Sequence, residues 1–144
     1  MRILFMVAVV VLITAGCKVE PEPLNYGVDG CHHCKMTLMD RKFGGEVVSS
    51  KGKVFKFDDV NCMVNFLNSG ELAESDVAYR MIVDFSKPEK LINAADALFI
   101  KSDKIKSPMA SQVAAFENKA DLDSHNEQWK GIFLSWGELI TQYK

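Results

Sequence analysis

The order of its secondary-structure patterns is the strongest constraint that this sequence places on its fold. Two short strands, a helix and a third strand are predicted within residues 43–85, and the same order recurs within residues 97–136. Elements in this order bury their apolar faces best by packing helices against antiparallel strands. The sequence therefore predicts an α+β protein made of two small ββαβ modules packed together.

The first module is predicted from a hairpin that leads into a helix. The hairpin covers residues 43–57, with its turn at Lys51-Gly52-Lys53. Asp58 and Asp59 offer N-caps for the helix, whose apolar side chains recur at helical spacing and are Val60, Met63, Val64 and Leu67. A strand over residues 77–85 follows, and its alternation assigns one apolar face to Val77, Tyr79, Met81, Val83 and Phe85.

The second module repeats the pattern with weaker signals. Residues 91–95 lead out of a polar break, and short strands are predicted at residues 97–100 and 107–116. A helix is predicted over residues 121–130, and residues 131–136 form the last strand before a short tail with one helical turn. We place the boundary between the modules after residue 86, so that they span residues 31–86 and 87–144.

The N-terminal residues 1–16 have the pattern of a signal peptide. A basic start precedes an apolar run at residues 3–15, which is too short to span a bilayer as a permanent helix. Small residues directly before Cys17 are similar to a bacterial lipobox and predict lipidation of that thiol. Residues 17–30, rich in proline and glycine, then form a tether. We expect a lipid-anchored protein of the bacterial cell envelope that faces the periplasm.

The overall charge excludes one class of partner. The formal net charge is −2, and basic residues neither cluster nor alternate with aromatic ones. Nucleic-acid binding is therefore not expected, because such proteins carry a basic surface. We expect a monomer.

The folded part opens with Cys31-His32-His33-Cys34-Lys35-Met36, which places two thiols, two imidazoles and a thioether within six residues. Sulfur donors favour Cu(I) or zinc over calcium and magnesium. A structural zinc site commonly has a second Cys pair, and the remaining thiol, Cys62, is interpreted as a small buried apolar residue of the first helix. Thiol–disulfide exchange by Cys31 and Cys34 stays open, whereas covalent haem attachment requires histidine where the chain has Lys35.

Cu(I) fits the spacing of the sulfur motif. In an extended segment Cys34 and Met36 point to the same side, and Cys31 or a histidine can complete the set from a bend. A thioether from elsewhere in the chain is a further candidate, and Met109 follows Ser107-Pro108 outside any apolar period. Met39 and Met81 are assigned to the core.

These residues resemble the NosL family of copper-binding lipoproteins. The resemblance rests on the lipoprotein leader, the motif Cys31-x-x-Cys34-x-Met36, the segment Phe57-Asp58-Asp59-Val60-Asn61-Cys62-Met63, and two later segments, Ser107-Pro108-Met109-Ala110-Ser111 and Gly131-Ile132-Phe133-Leu134. It covers essentially all of the mature chain. Lys35 departs from the family, which often has glycine there, and the paired histidines are not a fixed family feature.

The resemblance implies two ββαβ modules and a Cu(I) chaperone with no catalytic residues. It implies Cys34, Met36 and Met109 as the first ligands, then Cys31, and then His32 or His33. It also implies delivery of copper to nitrous oxide reductase, with docking to a membrane ABC-type assembly complex. The alternatives are a periplasmic thiol–disulfide oxidoreductase that uses Cys31 and Cys34, and a general copper buffer or sensor.

Overall fold

A computed structural model describes residues 18–142 of the chain. The predicted signal peptide and the lipidation site at Cys17 lie outside the described residues. The elements are β1 (Gly45–Ser49), β2 (Val54–Phe57), α1 (Val60–Asn68), β3 (Val77–Val83), β4 (Leu91–Asn93), β5 (Leu98–Lys101), β6 (Val113–Phe116), α2 (Lys119–Trp129), β7 (Ile132–Leu134) and α3 (Trp136–Gln142). A 3-10 turn at Glu74–Asp76 precedes β3. These elements confirm the predicted α+β class.

The strands form two antiparallel sheets. The first has the order β2-β1-β3-β4 and the second the order β6-β5-β7. In each sheet a helix connects two of the strands, as the repeated pattern predicts. An isolated parallel bridge between Asp84 and Ala115 connects the end of β3 to β6. The second module therefore packs against the C-terminal end of β3.

The strand β4 was not predicted, and it changes where the first sheet ends. It pairs with β3 with Ile92 opposite Ile82, so the first sheet extends beyond residue 86. Three residues are too few to show the alternation that identifies a strand in a sequence. The second sheet starts only at β5.

Burial along β3 differs from the predicted alternation. Tyr79 is 40% exposed, whereas Ile82 and Asp84, assigned to the opposite face, are 4% and 0% exposed. Both faces of the strand are covered at its C-terminal end because β6 packs there.

The core assignment of Met39 is wrong, since 71% of this residue is exposed in the loop before β1. Met81, the other methionine assigned to the core, is half-buried.

The described part of the predicted tether packs against the first sheet. Leu24 is buried, and the Tyr26 hydroxyl donates to the carbonyl of Phe43 at 2.7 Å. The Glu22 N–H donates to Glu46 Oε1, a carboxylate inside the sheet, at 2.9 Å. The sulfur motif therefore follows a segment that is fixed to the fold. Among residues 18–142, no helix has the length and apolar character that crossing a membrane requires.

Candidate metal centre

The Cys-x-x-Cys segment forms a tight turn that is bonded to β2. The Lys35 N–H donates to the Cys31 carbonyl at 3.0 Å, and the Cys31 N–H donates to the Met36 carbonyl at 2.8 Å. The His32 N–H donates to the carbonyl of Lys56 at 2.7 Å, which anchors the turn at the edge of the sheet. Lys35 takes a left-handed φ of 66° to close the turn, a conformation that glycine adopts more easily.

The turn brings its two thiols to the start of α1. There, one oxygen of Asp58 and the sulfur atoms of Cys31, Cys34 and Cys62 all lie within 4.8 Å of one another. Asp58 follows β2 directly, and Cys62 lies in the first turn of α1. We call these four residues the thiol cluster. It is assembled from two chain segments that are separated by the whole β1–β2 hairpin.

Cys62 is as buried as the sequence predicts, with 2% of its surface exposed, but its sulfur belongs to the thiol cluster. Cys31 is also 2% exposed, whereas Cys34 is half-buried and reaches the surface. The Cys34 sulfur donates to Asp58 Oδ2 at 3.4 Å, and Asp58 Oδ1 is buried without a hydrogen-bond partner in the described part of the chain. A buried oxygen without a partner is costly unless something binds it, so Asp58 is suited to hold a cation.

The cluster favours one thiolate, on Cys31. The S–H of Cys62 donates to the Cys31 sulfur, and the backbone N–H groups of Cys34 and Asp58 do so as well, which together lower the pKa of Cys31 to about 6. Burial raises the pKa of Cys34 to about 11, and the thiolate on Cys31 adds to that rise. The pKa of Cys62 is raised mainly because its S–H donates a hydrogen bond to the Cys31 sulfur, and burial raises it further. The cluster near neutral pH is therefore one thiolate flanked by two thiols.

The two predicted thioether ligands lie in different environments. Met36 directly follows the turn and is 55% exposed. Met109 is half-buried and packs against the apolar cluster that contains Cys31 and Cys62. The loop that carries Met109 comes from the second module and is hydrogen-bonded to α1. Coordination by either thioether stays a prediction.

The histidines of the motif lie outside the thiol cluster. His32 Nε2 lies 2.7 Å from Glu71 Oε1, and its ring packs edge-on against Phe55 and Phe66 at 4.9 and 5.2 Å between centroids. His33 is exposed. His32 is thus fixed by other contacts, and metal binding by either imidazole stays a prediction.

The donor set determines which chemistry the cluster supports. Thiolates suit soft Cu(I), and thiolates with a carboxylate also suit Zn²⁺, which accepts both donor types. The described cysteines are all free thiols, so no disulfide competes for the sulfurs. The residues present therefore fit a thiophilic metal ion.

Comparisons with known proteins agree with this architecture. A family model described as NosL matches residues 26–143 of the chain. The crystal structure of the copper chaperone NosL from Shewanella denitrificans is similar, with a TM-score of 0.70 and 23% sequence identity, and the match covers 84% of this chain and 96% of that one. At that identity the match shows a shared fold. A search of curated proteins found no match.

Proposed function

The chain belongs to the NosL family, and from this premise we propose that it is a metallochaperone that carries Cu(I). The observation that supports the proposal is the thiol cluster, in which three sulfurs and a carboxylate oxygen lie within 4.8 Å. Copper is the cargo in this proposal, so the site must both retain the ion and release it.

Burial of the donors suits those two tasks. Cys31 and Cys62 are inside the protein, where water and competing ligands do not reach them, whereas Cys34 is half-buried and Met36 is exposed. An incoming sulfur or imidazole of a recipient protein meets the exposed side first. The ion then passes by ligand exchange, in which a donor of the recipient binds before Cys34 leaves. A thioether such as Met36 is a weak donor and gives way easily.

We further propose that the recipient is nitrous oxide reductase, and that transfer takes place at a membrane ABC-type assembly complex. The support is family membership together with the predicted signal peptide and lipidation site. A lipid on Cys17 holds the protein at the membrane surface on the periplasmic side. Delivery to this enzyme, the Cu(I) state and the lipid anchor all belong to the proposal.

Binding is tested by titrating the reduced protein with Cu(I) against a chromophoric Cu(I) chelator. Cys34→Ser should weaken binding at least about tenfold, because it replaces a thiolate by a hydroxyl that Cu(I) binds poorly. Met39→Leu is the matched control, since Met39 is an exposed methionine outside the cluster. Equal affinity of wild type and Cys34→Ser would show that the thiol cluster is not the site.

Delivery is tested separately with apo nitrous oxide reductase. The copper-loaded protein should restore activity to the apo enzyme when the assembly complex is present, and Cys34→Ser loaded with the same total copper should restore less. If free Cu(I) and the loaded protein reactivate the enzyme equally in the presence of a chelator, the protein is a copper buffer and not a specific donor.

A thiol–disulfide oxidoreductase is the second candidate, favoured by the lowered pKa of Cys31. A catalytic thiolate has to be reached by its substrate, however, and Cys31 is 2% exposed. Turnover of a dithiol substrate without metal, abolished by Cys31→Ser, would support this candidate and contradict the chaperone.

A further inference from the structure

Two polar side chains at the start of α1 hold the backbone of Met109. The Met109 N–H donates to Asp59 Oδ2 at 2.9 Å, and Asn61 Nδ2 donates to the Met109 carbonyl at 2.9 Å. Both backbone polar groups of Met109 are therefore bonded to the helix that carries Cys62, although Met109 follows Asp59 by 50 residues.

The Asp59 carboxylate serves the helix and the loop together. Its Oδ1 accepts the Val60 N–H at 2.7 Å, which caps α1, and also the Ser111 hydroxyl. Its Oδ2 accepts the Ser111 N–H at 3.3 Å in addition to that of Met109. Asp59 is 1% exposed. A buried carboxylate with four donors fixes the relative position of the two segments tightly, because each lost bond leaves charge uncompensated.

The Met109 loop requires such support. Ala110 and Gln112 adopt left-handed φ values of 55° and 61°, which residues with a Cβ atom disfavour. Residues in this conformation persist when the surrounding structure holds them, and they are concentrated at functional sites. The bonds from Asp59 and Asn61 supply that restraint from the other module.

Asn61 also connects the loop to the thiol cluster. Its Oδ1 accepts the N–H of Cys62 at 2.8 Å, while its Nδ2 donates to Met109. One amide side chain thus bridges the backbone of a cluster cysteine and the backbone of the predicted thioether ligand. A substitution that changes the donor atom Nδ2 affects Met109, whereas one that changes the acceptor atom Oδ1 affects Cys62.

We propose that Asp59 and Asn61 are positioning residues that hold Met109 at the rim of the thiol cluster, where its thioether binds the copper ion. The proposal rests on the proposed function, because it requires Cu(I) as cargo. Neither residue contacts the ion. Each acts through Met109, which without them moves away from the sulfurs and leaves the ion to the remaining donors.

The substitution Asn61→Asp separates the two ends of the amide. It keeps an acceptor for the Cys62 N–H but places an oxygen against the Met109 carbonyl, which removes that bond. Asn61→Asp and Met109→Leu should each raise the Kd for Cu(I) about tenfold, and the double variant should be no weaker than either single one, because both remove the same contact. Asn65→Asp makes the same change one helical turn later and should leave the Kd unchanged.

A second measurement follows Met109 itself. In protein labelled with ¹³C at the methionine methyl groups, the Met109 methyl resonance should shift when Cu(I) binds to wild type or Asn65→Asp, and should shift much less in Asn61→Asp. Matching amide spectra of the metal-free variants verify that each one is folded.

Three results overturn the inference. If Asn61→Asp leaves both the Kd and the Met109 shift at their wild-type values, Asn61 does not position the thioether. If Met109→Leu binds Cu(I) as tightly as wild type while Cys34→Ser does not, the inference fails and the chaperone function stands. If wild type binds no Cu(I), the inference and the proposed function fail together.

Discussion

Glu46 is a carboxyl group buried within the first sheet, and its ionisation should make the fold less stable as the pH rises. The residue lies on β1 and is 0% exposed. Its Oε1 accepts the Glu22 N–H at 2.9 Å, but its Oε2 has no hydrogen-bond partner among the described residues. Burial raises the pKa of Glu46 from 4.5 to about 7, although the nearby Lys56 opposes that rise.

The size and sign of the effect follow from proton binding. Between pH 4.5 and about 7 the folded protein holds a proton that the unfolded chain has already lost. Stability is therefore greatest below the unfolded pKa and decreases as the pH rises through the folded one. Since each unit of pKa difference corresponds to about 1.4 kcal/mol, ionised Glu46 lowers the free energy of unfolding by about 3 kcal/mol.

Urea unfolding of the reduced, metal-free protein between about pH 4 and pH 8 measures this loss. Glu46→Gln keeps an oxygen for the Glu22 N–H and removes the ionisation, so its stability should fall about 3 kcal/mol less than that of wild type over this range. Glu127→Gln, an exposed position on α2, should follow the wild-type profile. Parallel profiles for wild type and Glu46→Gln would show that Glu46 does not titrate in this range.

Three further predictions test local features of the structure. Lys35→Gly should raise the free energy of unfolding by about 1 kcal/mol in urea, because glycine adopts the left-handed φ of 66° without strain. Asp58→Asn should lower the pKa of Cys34, followed by thiolate absorbance in metal-free protein, because the carboxylate raises it. Gly131→Ala should destabilise the fold by about 1–3 kcal/mol, because its Cβ would lie 2.5 Å from a β5 carbonyl, whereas Gly137→Ala, with open space around it, should be nearly neutral in thermal melts.

The elements defined by local chemistry were predictable from the sequence. The Lys51-Gly52-Lys53 turn lies between β1 and β2, and Asp59 caps α1 as expected. The predicted apolar face of α1 is confirmed at Val60, Met63 and Val64, which are buried, whereas Leu67 is half-buried. Each of these depends on residues within a few positions of one another, which is the range over which sequence patterns carry information.

The composition of the thiol cluster depends on contacts that such patterns do not contain. Cys62 has the helical spacing of a core residue, and a buried cysteine of a core looks the same in a sequence as one whose sulfur faces other thiols. It meets Cys31 because the turn at His32 is bonded to β2, a pairing across the length of the hairpin. The available signal was the placement of Asp58 and Cys62 on either side of the predicted N-cap, which puts both at one helix end.

In the proposed copper site, charge limits how many of the cluster's thiols can bind the ion as thiolates. Three thiolates and the Asp58 carboxylate would carry four negative charges, of which Cu(I) offsets one, and buried charge without compensation is costly. Cys62 is the thiol that should remain protonated. Its S–H donates a hydrogen bond to the Cys31 sulfur, which raises the pKa of Cys62, and burial raises that pKa further. Thioethers complete the shell of a Cu(I) ion without adding charge, which is the physical reason to expect Met36 and Met109 beside two thiolates.

Proton release on binding tests this charge argument. Cys31 is mostly ionised at neutral pH because its pKa is about 6, whereas Cys34, with a pKa of about 11, must lose its proton to bind. Cu(I) uptake near pH 7 should therefore release about one proton per ion, and Cys34→Ser should reduce the release to nearly none. Weakly buffered titration with a pH indicator measures the number. Release of about two protons would mean that Cys62 also binds as a thiolate, and the neutral thioethers would then not be needed to complete the shell.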